Sequence, residues 1–230
     1  MRKNLTFFAT GTAFFLLFVF FSYLVHKNLF VHFDFDTTVR LQNNVPRRFD
    51  ELFSYFSSIG SFEPMLIVLV VLLLIWRKII VGVMVFLGFV AFHVLEIFGK
   101  FFVNHPPPPE FMLRTQRVVQ FDQFHVRAEY SYPSGHSGRA IFIGTVLIFI
   151  IWNSRWSQMT KIILTSVIGM YVLIMLISRV YLGEHWLTDV IGGSILAFAF
   201  SCFSLSTHQL RQKLVRKHTK KTRTSEGLDL

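Results

Sequence analysis

Residues 178–205 read SRVYLGEHWLTDVIGGSILAFAFSCFSL, and this stretch joins two apolar runs across a short polar turn. The second run, 185–205, matches the roughly 20 residues that a helix needs to cross a hydrocarbon core of about 30 Å. Arg179 closes the first run, and His185 and Asp189 open the second. The stretch therefore predicts the end of one membrane helix, a turn, and a further membrane helix that begins with ionisable side chains.

The same apolar pattern recurs along the 230 residues of the chain. Hydrophobic residues make up 53% of the sequence and charged residues 16%, against about a quarter charged in an average soluble domain. The 28 phenylalanines lie mostly in long uncharged runs and not in the alternating pattern of a β-barrel, which indicates helices. We predict an all-α bundle of six transmembrane helices at 7–25, 61–76, 79–103, 134–152, 161–181 and 185–205.

The positive charges set the predicted orientation. The net charge is +10, and the basic residues lie beside the apolar runs, with no soluble domain to hold a nucleic acid. We therefore expect membrane lipids and no nucleic acid as partners. The short connections are basic, at Arg2, Lys3, Arg77, Lys78, Arg155 and Lys161. By the positive-inside rule both termini are cytoplasmic, and the loops 26–60 and 104–133 lie outside the cell membrane.

Two domains follow from this layout. Residues 1–206 form the six-span membrane domain, and 207–230 form a basic cytoplasmic tail that we predict to be disordered. Within the loop 26–60, apolar residues recur at helical spacing, at Phe49, Leu52, Phe53 and Phe56. This spacing indicates an amphipathic helix that either lies on the membrane surface or packs on the other helices.

Ionisable groups at the ends of membrane helices point to chemistry, because each costs about 2.5–3.5 kcal/mol at mid-bilayer. His185 and Asp189 are four residues apart and share one helix face, so the carboxylate can accept a hydrogen bond from one imidazole nitrogen. Such a carboxylate fixes the tautomer and raises the basicity of the other nitrogen. His185 is therefore a candidate nucleophile.

A candidate phosphate site lies at the start of the fourth predicted span, at Pro133-Ser134-Gly135-His136. Unsatisfied amide groups at a helix start bind anions, and glycine lets the backbone come close to a ligand. His136 can donate a proton to a leaving oxygen. The cations of Lys100 and Arg179 would neutralise the oxygens of a transferring phosphoryl group.

These residues, taken together, resemble the three-part signature of the type 2 phosphatidic acid phosphatases, the PAP2 superfamily. The resemblance covers the chain from about the second span onward, and its parts are Lys100, then Pro133-Ser134-Gly135-His136, then Ser178-Arg179 with His185 and Asp189. It implies a metal-independent lipid phosphatase with no cofactor. In such an enzyme His185 forms a phosphohistidine, Asp189 orients it and His136 protonates the leaving group. Phosphate is bound by Lys100, Ser134, Gly135 and Arg179. The implied site faces the outside, in agreement with the charge pattern.

The sequence departs from the family at one position. The first motif of the family runs from a lysine through six residues to Arg-Pro, and counting from Lys100 places Pro107 where the arginine belongs. Either Arg114 or His105 supplies the missing charge, or no residue does.

Several alternatives remain open from the sequence. The substrate is an undecaprenyl diphosphate, a phosphatidylglycerol phosphate or a phosphatidic acid. A lipid-to-lipid phosphotransferase would use the same phosphohistidine, and a transporter or an inactive lipid-binding protein would explain charges such as Glu96 and Arg139 near the membrane. Glu96 lies four residues before Lys100, which predicts an ion pair between them or, alternatively, a proton relay. His185 and Asp189 alone are too few ligands for a zinc site, and the oligomeric state is left open.

Overall fold

The computed structural model describes residues 2–115 and 130–226, with side chains described for 5–115 and 130–207. Every regular element in these ranges is helical, which confirms the all-α prediction for them. The helices are α1 (Arg2–His26), α2 (Val31–Asn44), α3 (Asp50–Ile59), α4 (Phe62–Trp76), α5 (Ile79–Phe102), α6 (Gly135–Trp152), α7 (Gln158–Tyr181) and α8 (Leu187–Glu226). Two short 3₁₀ turns lie at Arg47–Phe49 and Glu110–Met112.

The chain is a multi-pass membrane protein with five or six spans. Among the described residues, five helical segments are long and apolar enough to cross a bilayer, at Leu5–His26, Ile79–Phe102, Gly135–Trp152, Gln158–Tyr181 and Leu187–Thr207.

The predicted second span, 61–76, is the exception. It corresponds to α4, whose 15 residues are too few to cross alone. It reaches spanning length only together with Arg47–Ile59, from which it is bent by 52°. The bend lies at Gly60 and Ser61, because Ser61 leaves the helical region with a ψ of 162°.

Helix α8 lies at the centre of the bundle and packs against α1, α5 and α6. Its approach to the start of α6 depends on Gly193, where a Cβ atom would lie 2.2 Å from the Ser134 carbonyl oxygen. The Ser134 N–H group donates to the Asp189 carbonyl oxygen at 3.0 Å. The start of α8 and the turn before α6 are therefore held together at one end of the bundle.

The helix expected within the loop 26–60 is present as α3. Its buried side chains are polar, at Asp50, Ser54 and Ser57, and apart from Glu51 its exposed ones are apolar, at Leu52, Tyr55 and Ile59. Part of the predicted apolar stripe packs on α7, since the Phe53 ring lies 4.9 Å from the Tyr181 ring and the Phe56 ring 6.5 Å from the Tyr171 ring. Packing on other helices is therefore seen, and contact of this helix with the membrane surface stays a prediction.

The last helix continues past the predicted domain boundary at 206. In the structure α8 runs without a break to Glu226, through most of the segment 207–230. It begins at Leu187, two residues later than predicted, so His185 lies in the loop before it. The separation of a membrane domain from a basic cytoplasmic tail stays a prediction.

Candidate active site

The catalytic candidates His185 and Asp189 are in contact, as their spacing predicted. The Nδ1 atom of His185 lies 3.4 Å from Oδ2 of Asp189, and the same carboxylate oxygen accepts the backbone N–H of Trp186 at 2.9 Å. Asp189 is completely buried. Because Nδ1 of His185 faces the carboxylate, Nε2 is the ring nitrogen that could act as the nucleophile.

The protonation state of His185 suits a nucleophile. Burial lowers the pKa of His185 to about 4, the hydrogen bond with Asp189 opposes this shift, and the positive charges of Arg179 and Lys100 reinforce it. A neutral imidazole at pH 7 has a lone pair on Nε2 that can attack phosphorus. The same electrostatic coupling places Lys100, in the last turn of α5, in the neighbourhood of His185.

His136 lies in the first turn of α6, where the sequence placed it. Its side chain is buried, and its Nε2 atom has no hydrogen-bond partner within the ranges that the structure describes. A buried polar atom without a partner costs about 1–3 kcal/mol, which is common where a ligand or substrate completes the bonding. His136 is in electrostatic contact with Arg179, His185 and Lys100, so the predicted set converges on one place.

Ser134 and Gly135 form the backbone turn before His136. Ser134 is fully buried, and its side-chain oxygen accepts a hydrogen bond from Ser137 at 3.1 Å. A Cβ atom at Gly135 would lie 2.1 Å from Oε1 of Glu96. A side chain here would displace the Glu96 carboxylate, which packs directly against the backbone. The predicted approach of a phosphate to the Gly135 backbone stays a prediction.

Arg179 has partners that the sequence did not reveal. Its guanidinium group donates to the Ser57 hydroxyl and forms an ion pair with Glu184, and Ser57 also donates to Glu184 at 3.5 Å. The Nε atom of Arg179 is buried and has no partner among the described side chains. The one sequence signal for Glu184 is its place directly before His185, and Ser57 lies on the buried face of α3.

Glu96 pairs differently from the prediction. Its carboxylate lies 3.9 Å from the Arg139 guanidinium and 3.8 Å from the His93 ring, and no pair with Lys100 is found among the described residues. Arg139 also donates to the Gly60 carbonyl oxygen at 2.9 Å. The predicted Glu96–Lys100 ion pair is therefore wrong, because α6 brings Arg139 to the Glu96 carboxylate in place of Lys100.

The two candidates for the missing charge have separate positions. Arg114 lies over the Tyr181 ring at 5.2 Å and donates to the Tyr181 hydroxyl at 3.3 Å and the Val45 carbonyl at 3.4 Å. His105 lies in the catalytic cluster, with Nδ1 2.8 Å from Oδ1 of Asp189. Of the two, His105 is the one that touches a predicted catalytic residue.

Comparison with known proteins gives one family. The family model of the PAP2 superfamily matches residues 69–213. The chain is 35% identical over 102 residues to YbjG of Escherichia coli (strain K12), to which undecaprenyl-diphosphatase activity is attributed, covering 42% of this chain and 46% of YbjG. It is 33% identical over 91 residues to phosphatidylglycerophosphatase B of Bacillus subtilis (strain 168), covering 37% of this chain and 45% of that protein. The chain thus matches about half the length of these relatives.

A solved structure has the same fold. The crystal structure of a transmembrane PAP2-type phosphatidylglycerolphosphate phosphatase from Bacillus subtilis superposes with a TM-score of 0.69 at 22% identity, covering 88% of this chain and 96% of that one.

Proposed function

The chain belongs to the PAP2 superfamily, and from this membership we propose that it is a membrane phosphatase that removes phosphate from the headgroup of a lipid. The observation that carries the proposal is that His185, in contact with Asp189, lies in the same cluster as His136 and Arg179. Each of these two has a buried nitrogen without a hydrogen-bond partner among the described residues. The substrate class is a lipid monophosphate or diphosphate, of the undecaprenyl diphosphate, phosphatidylglycerol phosphate or phosphatidic acid type. The names of the two relatives support this class.

In the first step the phosphoryl group is transferred to the enzyme. Lys100, the Nε–H of Arg179, the Ser134 hydroxyl and the backbone amide of Gly135 bind the phosphate oxygens. Nε2 of His185 attacks phosphorus, and the bond from phosphorus to the leaving oxygen breaks. His136 gives its proton to that oxygen, and Asp189 balances the positive charge that develops on His185.

In the second step water regenerates the enzyme. His136, now without its proton, accepts one from a water molecule that attacks the phosphohistidine. The bond between phosphorus and Nε2 breaks, and inorganic phosphate leaves. The histidine and the carboxylate return to their starting protonation states, so no other reactant is needed.

Phosphate release is the direct test. Purified protein in detergent is offered undecaprenyl diphosphate, phosphatidylglycerol phosphate and phosphatidic acid in separate reactions, and free phosphate is measured. We expect release from at least one of these lipids. Binding without release from every lipid would contradict the proposal and would favour an inactive lipid-binding protein.

The pH dependence of the reaction should show the lowered pKa of His185. Below a pH of about 4, protonation removes the Nε2 lone pair, so kcat/KM should fall as the pH drops through this value. The substrate phosphate also titrates, with a pKa of about 6, and produces a second acid limb in the pH profile. The two limbs are distinguished by comparing two substrates whose phosphate pKa values differ. The limb near pH 4 should stay in place for both substrates. A single acid limb near 6.5 would mean that His185 has an ordinary pKa.

The proposed orientation places both termini in the cytoplasm and the site on the outer face, on the basis of the positive-inside rule. In a Cys202→Ser background, which has no other cysteine, Asn104→Cys and Glu110→Cys should react with an impermeant maleimide on intact cells. Asn153→Cys, at the opposite end of the bundle between α6 and α7, should react only after lysis. All three positions are exposed. The opposite labelling pattern would place the site in the cytoplasm.

A further inference from the structure

The two oxygens of the Asp189 carboxylate have different partners. Oδ2 faces His185 and the backbone of Trp186. Oδ1 is 2.8 Å from Nδ1 of His105, which is the shorter of the two histidine contacts. A carboxylate held at both oxygens cannot rotate, so the contact with His105 fixes the direction in which Asp189 presents Oδ2 to His185.

The far side of the His105 ring faces a second buried carboxylate. Nε2 of His105 lies 3.8 Å from Oδ2 of Asp34, which comes from α2. Asp34 is also held by Thr188, whose backbone N–H donates at 2.9 Å and whose hydroxyl donates at 2.6 Å. The exposed fractions of Asp34, His105 and Asp189 are 1%, 4% and 0%, so all three groups are shielded from water.

We propose that His105 is a positioning residue, an imidazolium held between the carboxylates of Asp34 and Asp189 that fixes Asp189 for its action on His185. This inference rests on the proposed phosphatase function. It differs from the role predicted from the sequence, in which His105 replaces the arginine missing at Pro107 as a phosphate ligand. Nδ1 is within hydrogen-bond distance of Asp189 and Nε2 lies 3.8 Å from the Asp34 carboxylate, so an anionic phosphate oxygen at either nitrogen would be repelled by a neighbouring carboxylate.

The charges around His105 favour its protonated form. Asp34 and Asp189 face it from α2 and α8, and the Tyr132 ring lies 6.4 Å away on the loop before α6. Burial by itself lowers the pKa of His105, but the hydrogen bond to Asp189 and the charges of both carboxylates outweigh burial and leave the pKa raised. Two buried carboxylates without a cation between them would repel each other at close range.

Two variants of His105 separate its charge from its hydrogen bond. His105→Ala removes both, and we expect kcat for lipid phosphate to fall by about ten- to a hundred-fold with little change in KM. His105→Asn keeps an N–H donor at the position of Nδ1 but has no charge. It should retain more activity than the alanine variant, and it should lack the loss of activity that the wild type shows as the pH rises through the pKa of His105. Thermal unfolding checks that each variant is folded.

Asp34 gives an independent test. Asp34→Asn keeps acceptor oxygen for Thr188 but removes the charge that raises the pKa of His105, so the alkaline limb should move to lower pH. Asp36→Asn, an exposed aspartate on the same helix, is the matched control and should leave the limb in place. Folded His105 variants with wild-type kcat, or an alkaline limb that persists in His105→Asn, would overturn the inference. Phosphate release by the wild type in that case would leave the proposed function standing.

Discussion

His185→Ala is expected to reduce phosphate release to background, a loss of roughly 10⁴- to 10⁶-fold. The substitution removes Nε2 of His185, the ring nitrogen that faces away from Asp189 and that we propose attacks phosphorus. Without it the phosphohistidine at position 185 cannot form, so water would have to attack the lipid phosphate directly. Initial rates measured with the best lipid of the substrate panel give the effect.

The fold should survive this substitution. His185 lies in the loop between α7 and α8, and its contact with Asp189 is a long hydrogen bond of 3.4 Å. Asp189 keeps its contacts with His105 and with the backbone of Trp186. His32→Ala, at an exposed histidine of α2, is the matched control and should retain full activity. A folded His185→Ala protein that turns over at the wild-type rate would exclude the phosphohistidine mechanism.

The sequence predicted the parts of this molecule that depend on local pattern. Long uncharged runs gave the membrane helices, because the bilayer imposes a length on each of them. The contact of His185 with Asp189 was predicted from their spacing, although His185 lies in the loop before α8 and not on the helix face that this spacing implied. The helix start at Gly135 placed His136 in its first turn. The run 61–76 was predicted as a complete span, but α4 reaches spanning length only together with Arg47–Ile59, and hydropathy alone does not report the bend between them.

Two of the residues that the sequence did not reveal, Asp34 and Ser57, come from the segment between α1 and α4. Ser57 reaches Arg179 across 122 positions, and Asp34 reaches Thr188 across 154 positions. Sequence periodicity does not relate residues this far apart. Ser57 and Asp34 also did not stand out among the other polar residues of the predicted loop. The bundle brings α2 and α3 against α7 and α8, so this segment supplies part of the surroundings of the proposed site.

The pairing of Glu96 shows how a local rule can fail. Lys100 is four residues from Glu96 and was expected to pair with it, but Arg139 of the neighbouring helix α6 forms the ion pair instead. An arginine bonded at several points is a better partner for a buried carboxylate than a lysine at a helix end. The absence of a side chain at Gly135 makes room for this arrangement. This arrangement leaves Lys100 in its proposed role as a phosphate ligand.

His136→Ala should separate proton donation from phosphate binding. For a lipid substrate, whose alkoxide is a poor leaving group, removal of a general acid should cost about 10²- to 10⁴-fold in kcat. For p-nitrophenyl phosphate, whose leaving oxygen needs little protonation, the loss should be much smaller. Nε2 of His136 has no hydrogen bond in the described part of the chain, so the substitution should affect catalysis more than the stability of the fold.

The ratio of the two losses therefore identifies the role of His136. A residue that only binds the phosphoryl group contacts the same oxygens in both substrates, so its removal lowers both rates by one factor. A residue that protonates the leaving oxygen acts on the atom in which the substrates differ. His93→Gln provides the comparison, since this histidine contacts Arg139 and Glu96, has no part in the proposed proton transfer and should affect both substrates alike. If His136→Ala also gave equal losses, His136 would be a phosphate ligand, and the proton for the leaving oxygen would have to come from another group of the site.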